Sequence, residues 1–532
     1  MLLAELRLFA RFAGGLTRFV RNPLSAPECR DRLVRGLAER PANFLRVLEQ
    51  GLLARPASPY GRLLAHAGIG IDDVRHLVTS RGVEEALAVL FTNGIYVRLD
   101  EFKGRHPIRR GSLVFEVSSR DFDNPLSTKH FAGQSGGSRS SGTRTYIDFD
   151  SYAHDAAYQH FLLAALKLHG RPFALWCPPP PYSAAINELM RSAKLAQPVE
   201  RWFAPHMPRH RADRWKYVLL TACMVHGARL SGMRLPGPEH VPLYEAGSVA
   251  AWLADKRRQG TPAVLKTNVS SGVRICIAAR ESGIDISRTV FRLDSEPLTP
   301  AKARVFQAAG CRAVNTYAAT EAGFVGVPCT RSDRPDEVHL AFDKLALIQR
   351  SLPLAGRDPV PTNLYTTLSR STAKLLLNTE LGDHATLERR DCGCPFGQLG
   401  FPIHLHTIRS PEKLTCEGMN FIGADLHRLI EEVLPARFGG QPTDYQLVEE
   451  EEAGLSRVHL LISPRLGAMH EPAAIETVLG FLDAVPNARD AYGERWRDGA
   501  TLRVRRQEPY TTTAGKIPVL HVTTPKGERL GA

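Results

Sequence analysis

QSGGSRSSGTR, residues 134–144, puts three glycines, four serines, a threonine and two arginines into eleven consecutive positions. No side chain in it builds a core. A loop of small residues following a strand can wrap an anion. Its backbone N–H groups converge, hydroxyls add donors, and the two arginines add positive charge. It is not a GxxxxGK[ST] phosphate loop, which is absent from the chain. Taken alone, the stretch suits a flexible surface connection equally well, so the surrounding sequence has to decide.

Upstream, residues 1–110 read as helical; PECRDRLVRGLAERPANFLRVLEQGLLA (27–54) carries Leu and Val at three- and four-residue steps. From residue 111 the pattern changes. SLVFEVSS is a short strand-like run, YAHDAAYQHFLLAALKLHG (152–170) an amphipathic helix, and PFALWC (172–177) a strand entering a proline-rich loop. PAVLKTN, TVFRLDS and CRAVNTY then read as strands alternating with the helices GVRICIAARESG and TPAKARVFQAAG. In the second helix Thr299 is placed to cap and Pro300 to occupy the first position. This alternation predicts a layered α/β domain with parallel strands. After residue 410 GADLHRLIEEVLP, SRVHLLISP, AAIETVLGFLDAV and ATLRVRRQEP read as helix, strand, helix and strand, a compact α+β unit. The main boundary falls at Ser410–Glu412, giving three regions: 1–110, 111–409 and 410–532.

The chain has 532 residues, 43% apolar and 23% charged, enough for a large core without disulfides. Lys and Arg exceed Asp and Glu by 68 to 55, a net +13, which points to an anionic partner. The excess is scattered and no zinc-finger, basic-zipper or RNA-recognition signature is present, so nucleic acid is not expected. In the first helix Glu5, Arg7, Arg11, Arg18 and Arg21 interrupt the apolar residues, unlike a secretory signal. No run reaches the roughly 18 uncharged residues of a membrane span. With nine cysteines, an odd number, the expectation is a cytoplasmic protein with reduced thiols.

Four further stretches bear on the glycine-rich loop: DSEPLTPAKARVFQAAGCR (294–312), NTYAATEAG (315–323), LLNTELGD (376–383) and TTTAGKIPVL (511–520). With the loop, and in this order, they resemble the adenylate-forming superfamily of acyl-CoA ligases and adenylation domains, most nearly its phenylacetate–CoA ligase branch. The resemblance spans residues 110–520. It implies a large N-terminal α/β AMP-binding domain and a small, mobile α+β C-terminal domain. It also implies ATP-dependent activation of a carboxylic acid, aryl or medium-chain, to an acyl-adenylate. A thiol of coenzyme A or of a carrier-protein phosphopantetheine then accepts the acyl group. The resemblance is also compatible with a homodimer.

The resemblance also implies roles. Ser135, Gly136, Gly137, Ser138, Ser140, Ser141, Gly142 and Thr143 would hold the ATP β- and γ-phosphates, and Ser295, Glu296 and Pro297 would line the adenine pocket. Tyr317 would stack on adenine, Thr320 would contact the α-phosphate, and Glu321 would hold Mg2+, a hard cation suited to carboxylate oxygen. Asp383 would take the ribose hydroxyls, and Arg409, at the hinge, would also reach the ribose. Lys516 would stabilise charge as the acid attacks the α-phosphate. Gly418 would help form the thiol tunnel. Acid-pocket residues are expected from 176–187 and 266–272, with Ala318 and Ala319.

The sequence departs from the pattern at Ala318, at Asp294 and Ser295 (glycines in the family) and in NTELGD. These departures leave open a non-thiol acceptor or a degenerate nucleotide-binding module; retention of Glu321, Asp383 and Lys516 favours catalysis. Finally, Cys329, His339, Cys392 and Cys394 are three sulfurs and a nitrogen, a set that suits structural Zn2+. Relatives in that branch look similar in having a Cys, a His and a later CxC at equivalent places. His404 and His406 compete with His339 for the nitrogen position, and free buried thiols are the alternative.

Overall fold

The computed structural model describes residues 2–134, 144–180, 182–205, 214–295, 298–354, 357–409, 415–416, 419–420, 426, 428–440, 444–452, 455–483, 496–497, 499, 501–510 and 520–522. Six parallel strands form the central sheet, in the order Arg312–Asn315, Val290–Asp294, Val264–Asn268, Phe173–Trp176, Arg201–Ala204 and Pro238–His240. The four inner strands are buried almost throughout, as in a sheet covered on both faces. The helices Ser183–Lys194, Ala246–Arg258, Val269–Glu281 and Pro300–Ala308 connect strands of this sheet. The last starts where its sequence predicts: Pro300 leads, and the Thr299 hydroxyl accepts from Lys302 N–H.

Strand order reverses between Phe173–Trp176 and Val264–Asn268, because the chain builds outward first on one side and then on the other. In open α/β sheets ligands bind beyond the carboxyl ends of the strands at such a reversal. A five-stranded antiparallel sheet follows, in the order Tyr317–Ala319, Gly323–Pro328, Val338–Leu340, Ile403–Arg409 and His384–Arg389. A three-stranded sheet of Leu345–Leu354, Arg357–Thr367 and Thr379–Glu380 stands beside it. Residues of the N-terminal helices, among them Phe12, Leu33, Phe44 and Leu87, share one apolar core with these sheets.

Beyond residue 425 a separate core of Leu429, Leu447, Leu460, Val478 and Trp496 lies between helix Glu471–Asp483 and a mixed four-stranded sheet. The helix expected over GADLHRLIEEVLP includes a wide turn at Leu429–Val433 before Leu434–Phe438. Among the described residues, no helix is long and apolar enough to cross a membrane.

Candidate nucleotide and acid site

At the carboxyl ends of the parallel strands lies a cavity of about 150 Å³. Asp294 and Ser295 reach it from the end of the strand Val290–Asp294, and Ala318, Ala319 and Thr320 from the next hairpin. The helix Ser183–Lys194 supplies Ser183, Ala184, Asn187 and Arg191. Two of the quoted stretches, 294–312 and 315–323, therefore meet at one opening.

Ser295 is in the left-handed region, φ 70°, which explains why glycine suits this place and shows that serine is tolerated. Its hydroxyl contacts Asp294 at 3.0 Å, and Lys266 pairs with Asp294 at 2.5 Å. Lys266 is 3% exposed and sits behind the wall. Of the expected acid-pocket residues, Ser183, Ala184, Asn187, Ala318 and Ala319 line the cavity, whereas none of 266–272 does so among the described residues.

Tyr317 and Asp383, 66 positions apart, are joined: the Tyr317 hydroxyl donates to Asp383 Oδ2 at 2.9 Å. Burial, followed by the neighbouring Asp383 charge, pushes the Tyr317 phenol well above its ordinary value, so the hydroxyl remains a donor. One residue beyond Asp383, His384 pairs in register with Arg409, so the Arg409 backbone lies next to the LGD turn.

Thr320, Glu321 and Ala322 form the tight turn between strands Tyr317–Ala319 and Gly323–Pro328. Gly323 closes it with φ 73°; a Cβ there would lie 3.0 Å from Asp155 Oδ2 and 3.3 Å from Lys344 Nζ. Glu321 is 8% exposed, and Lys103 Nζ approaches its Oε1 to 3.2 Å.

Behind the cavity runs a buried ionic network that the sequence motifs do not announce. Glu188 Oε1 accepts from Arg292 at 2.7 Å and Oε2 from Arg191 at 2.8 Å. Both arginines also donate to Gln159 Oε1 at 3.1 Å. Burial opposes ionisation of Glu188, but the charges of Arg292, Arg191 and Lys266 prevail and hold its carboxyl at about 2. Asp155 lines the cavity and is held by Lys344 at 2.6 Å. The only sequence signal was Glu188 and Arg191 three apart on an otherwise apolar helix face; Lys103 gave none.

The metal-type cluster is brought together. One ligand atom each from Cys329, His339, Cys392 and Cys394 lies within 4.8 Å of all the others. His339 Nε2 is 3.0 Å from Cys394 Sγ and 3.5 Å from Cys392 Sγ. A tetrahedral ion bonded at about 2.0–2.3 Å needs ligands about this close, so the set fits Zn2+. His339 Nδ1 faces the Phe401 carbonyl at 2.9 Å, the outer contact that fixes a ligating ring. The Cys329 hydrogen bond, outweighing burial and reinforced by His339, draws the Cys394 thiol far down toward thiolate. Of the competing histidines, His404 turns Nδ1 to Glu337 at 2.7 Å and His406 turns Nδ1 to Thr407 at 3.0 Å. His404 also belongs to a second grouping with Cys329 and Glu337.

Ser135, Gly136, Gly137, Ser138, Ser140, Ser141, Gly142, Thr143, Glu296, Pro297, Gly418 and Lys516 lie outside the described residues, and only the backbone of Arg409 is described.

No family model matches the sequence, and no curated protein matches it. Among solved structures, the chain is similar to 2-hydroxyisobutyryl-CoA ligase in complex with 2-HIB-AMP and CoA in the thioesterification state. Identity is 14%, coverage 94% of this chain and 91% of that one, and the TM-score 0.55. The same ligase in the postadenylation state with 2-HIB-AMP matches at 14% identity, the same coverage of 94% and 91%, and TM-score 0.44. An anthranilate CoA ligase in complex with anthranoyl-AMP matches at 13% identity over 73% of this chain and 65% of that one, TM-score 0.35. The fold assignment rests on the first match: the described residues of this chain share the α/β fold of that 2-hydroxyisobutyryl-CoA ligase.

Proposed function

We propose that this protein uses ATP to convert a carboxylic acid to an acyl-adenylate and then passes the acyl group to a thiol. The observation that carries this reading is the convergence of Asp294, Ser295 and Ala318–Thr320 on one cavity at the strand reversal. The Tyr317–Asp383 bond supports it by tying the LGD turn to the same place.

In this reading the acid lies in the cavity with its carboxylate toward Thr320, and the nucleotide lies along Tyr317, Asp383 and Arg409. The loop 135–143 takes the terminal phosphates, and Lys516 steadies charge at the α-phosphate while the acid oxygen attacks and pyrophosphate leaves. Glu321 would hold Mg2+, which when bound neutralises phosphate charge. Its single hard carboxylate suits an ion that keeps several waters, provided the ammonium beside it gives way. The thiol attacks in a second step, at a tunnel that includes Gly418, after the C-terminal unit has moved about a hinge near Arg409. Coenzyme A and a carrier-protein phosphopantetheine are the acceptors of fitting chemistry. The homodimer and the cytoplasmic location belong to the same reading.

Asp155, Asn187, Arg191 and Asp294 give the cavity wall a strongly polar character beside Ala184, Ala318 and Phe324. This wall favours a small acid with hydrogen-bonding substituents over a bulky aryl acid. Zn2+ in the Cys329, His339, Cys392 and Cys394 set would pin the segment after Glu321 to the segment after Asp383.

The test is ATP–pyrophosphate exchange across a panel of carboxylic acids for the wild type and Lys516→Ala. Acid-dependent exchange that the variant loses is the expected result. Measurable ATP binding with no exchange for any acid would overturn the reading.

A further inference from the structure

The helical N-terminal region reaches the centre of the site. Val97 N–H donates to the Asn378 carbonyl at 3.0 Å, and Glu380 N–H donates to the Val97 carbonyl at 3.0 Å. Residue 97 therefore extends the segment that leads to Asp383. The short helix Leu99–Phe102 is clamped immediately afterwards. Leu99 N–H donates to Glu380 Oε2 at 3.1 Å, and Glu101 takes a two-point contact from Arg110 at 2.8 and 3.1 Å. Gly382, next to Asp383, lies so close that a Cβ there would stand 2.7 Å from Leu99 Cδ2.

This rigid element ends in Lys103, whose ammonium lies 3.2 Å from Glu321 Oε1, with side chains only 17% and 10% exposed. Nearby, the buried Lys374 pairs with Asp123 at 2.5 Å and donates its backbone N–H to the Glu321 carbonyl at 3.0 Å. Among the described residues, the ammonium groups of Lys103 and Lys374 thus face the carboxylates of Glu321 and Asp123 before any metal arrives. A divalent cation on this carboxylate would come within a few ångströms of the ammonium, where repulsion in a half-buried setting is substantial.

We propose that Lys103 is a positioning residue of the metal–nucleotide site, a resident counter-cation that aims the Glu321 carboxylate and that a divalent cation must displace. The inference rests on the adenylation reading and on Glu321 as the metal-holding residue. It makes the N-terminal region part of the site and gives it a function: setting how much divalent cation the enzyme needs.

The experiment measures Mn2+ binding to the full-length protein by loss of the free-ion EPR signal, in the presence of a non-hydrolysable ATP analogue. Wild type, Lys103→Met, Lys103→Arg and Lys103→Met/Glu321→Gln are compared. In Lys103→Met, Mn2+ should bind roughly tenfold more tightly, because the competing charge is gone. Lys103→Arg should stay near wild type, and the double variant should lose the gain. The Mg2+ concentration for half-maximal pyrophosphate exchange should fall in parallel. Should Lys103→Met not fold, Lys103→Gln, which keeps a donor but loses the charge, carries the same expectation. A folded neutral variant with unchanged or weaker Mn2+ binding overturns the proposal, as does a gain that survives Glu321→Gln. A wild type that exchanges pyrophosphate while Lys103→Met behaves identically sinks this inference alone. A wild type that never exchanges with any acid sinks the adenylation reading beneath it.

Discussion

The Tyr317 hydroxyl and the Asp383 carboxylate share a hydrogen bond of 2.9 Å, although one opens the five-stranded sheet and the other follows the last strand of the three-stranded one. The bond fixes the plane of the tyrosine ring and occupies one oxygen of the aspartate. In the proposed complex the ring lies on adenine and the carboxylate takes the ribose. Tyr317→Phe should keep the ring and release the carboxylate. The expected outcome is a KM for ATP raised several-fold, with kcat changed less, and a stability loss of about 1 kcal/mol. ATP-dependent exchange kinetics and a thermal melt measure the two.

The sulfur–imidazole cluster predicts a metal content. Purified protein should carry about one zinc per chain by elemental analysis. Cys394→Ser and His339→Ala should lose it and lower the melting temperature, and a strong chelator should do the same to wild type. His404→Ala should keep its zinc, because that ring faces Glu337. Loss of zinc in His404→Ala but not in His339→Ala would reverse the assignment.

Glu188 predicts an acid limit. Its carboxyl is depressed from 4.5 to about 2: the cost of burial is overcome by Arg292, Arg191 and Lys266. A group lowered in this way contributes its full stabilisation above pH 4.5 and loses it as the pH falls toward 2. The amount is about 3 kcal/mol. Glu188→Gln leaves two buried guanidinium groups short of a counter-charge and should cost about 3–5 kcal/mol at neutral pH. Melting temperature followed from pH 7 downward should show a shallower acid-side decline in the variant. An equally steep decline would place the acid sensitivity elsewhere.

Asn187 predicts selectivity. Its amide lines the cavity and accepts from the Tyr152 hydroxyl at 2.9 Å. Asn187→Leu should shift kcat/KM away from hydroxyl- or amide-bearing acids toward apolar ones of the same length by roughly tenfold or more. An unchanged ranking across the panel would remove Asn187 from the acid pocket.

Much of the architecture is legible because local rules and tertiary packing agree. Thr299 and Pro300 start a helix where capping chemistry says they should, and the strand–helix alternation from 262 to 317 supplies three of the six strands of the parallel sheet. Linear order alone could not choose between His339 and His404. The two are register partners on neighbouring antiparallel strands, their rings 4.1 Å apart, and only the direction of each imidazole nitrogen separates them. Nor could it foresee that, among the described residues, none of 266–272 lines the cavity. Lys266 has the spacing of a pocket residue, but its charge is spent on Asp294. Lys103 was invisible for another reason: its importance comes wholly from what the fold sets beside it.

The pairing of His384 with Arg409 has a mechanical meaning. The strand Ile403–Arg409 ends where the chain departs for the C-terminal unit, and its final rung is bonded to the residue following Asp383. In the proposed cycle, whatever holds Asp383 still would also stiffen the mounting of the hinge near Arg409. In that proposed cycle a ribose gripped there would brace the joint about which the smaller unit would turn, so occupancy and rotation would share one joint instead of signalling across a distance.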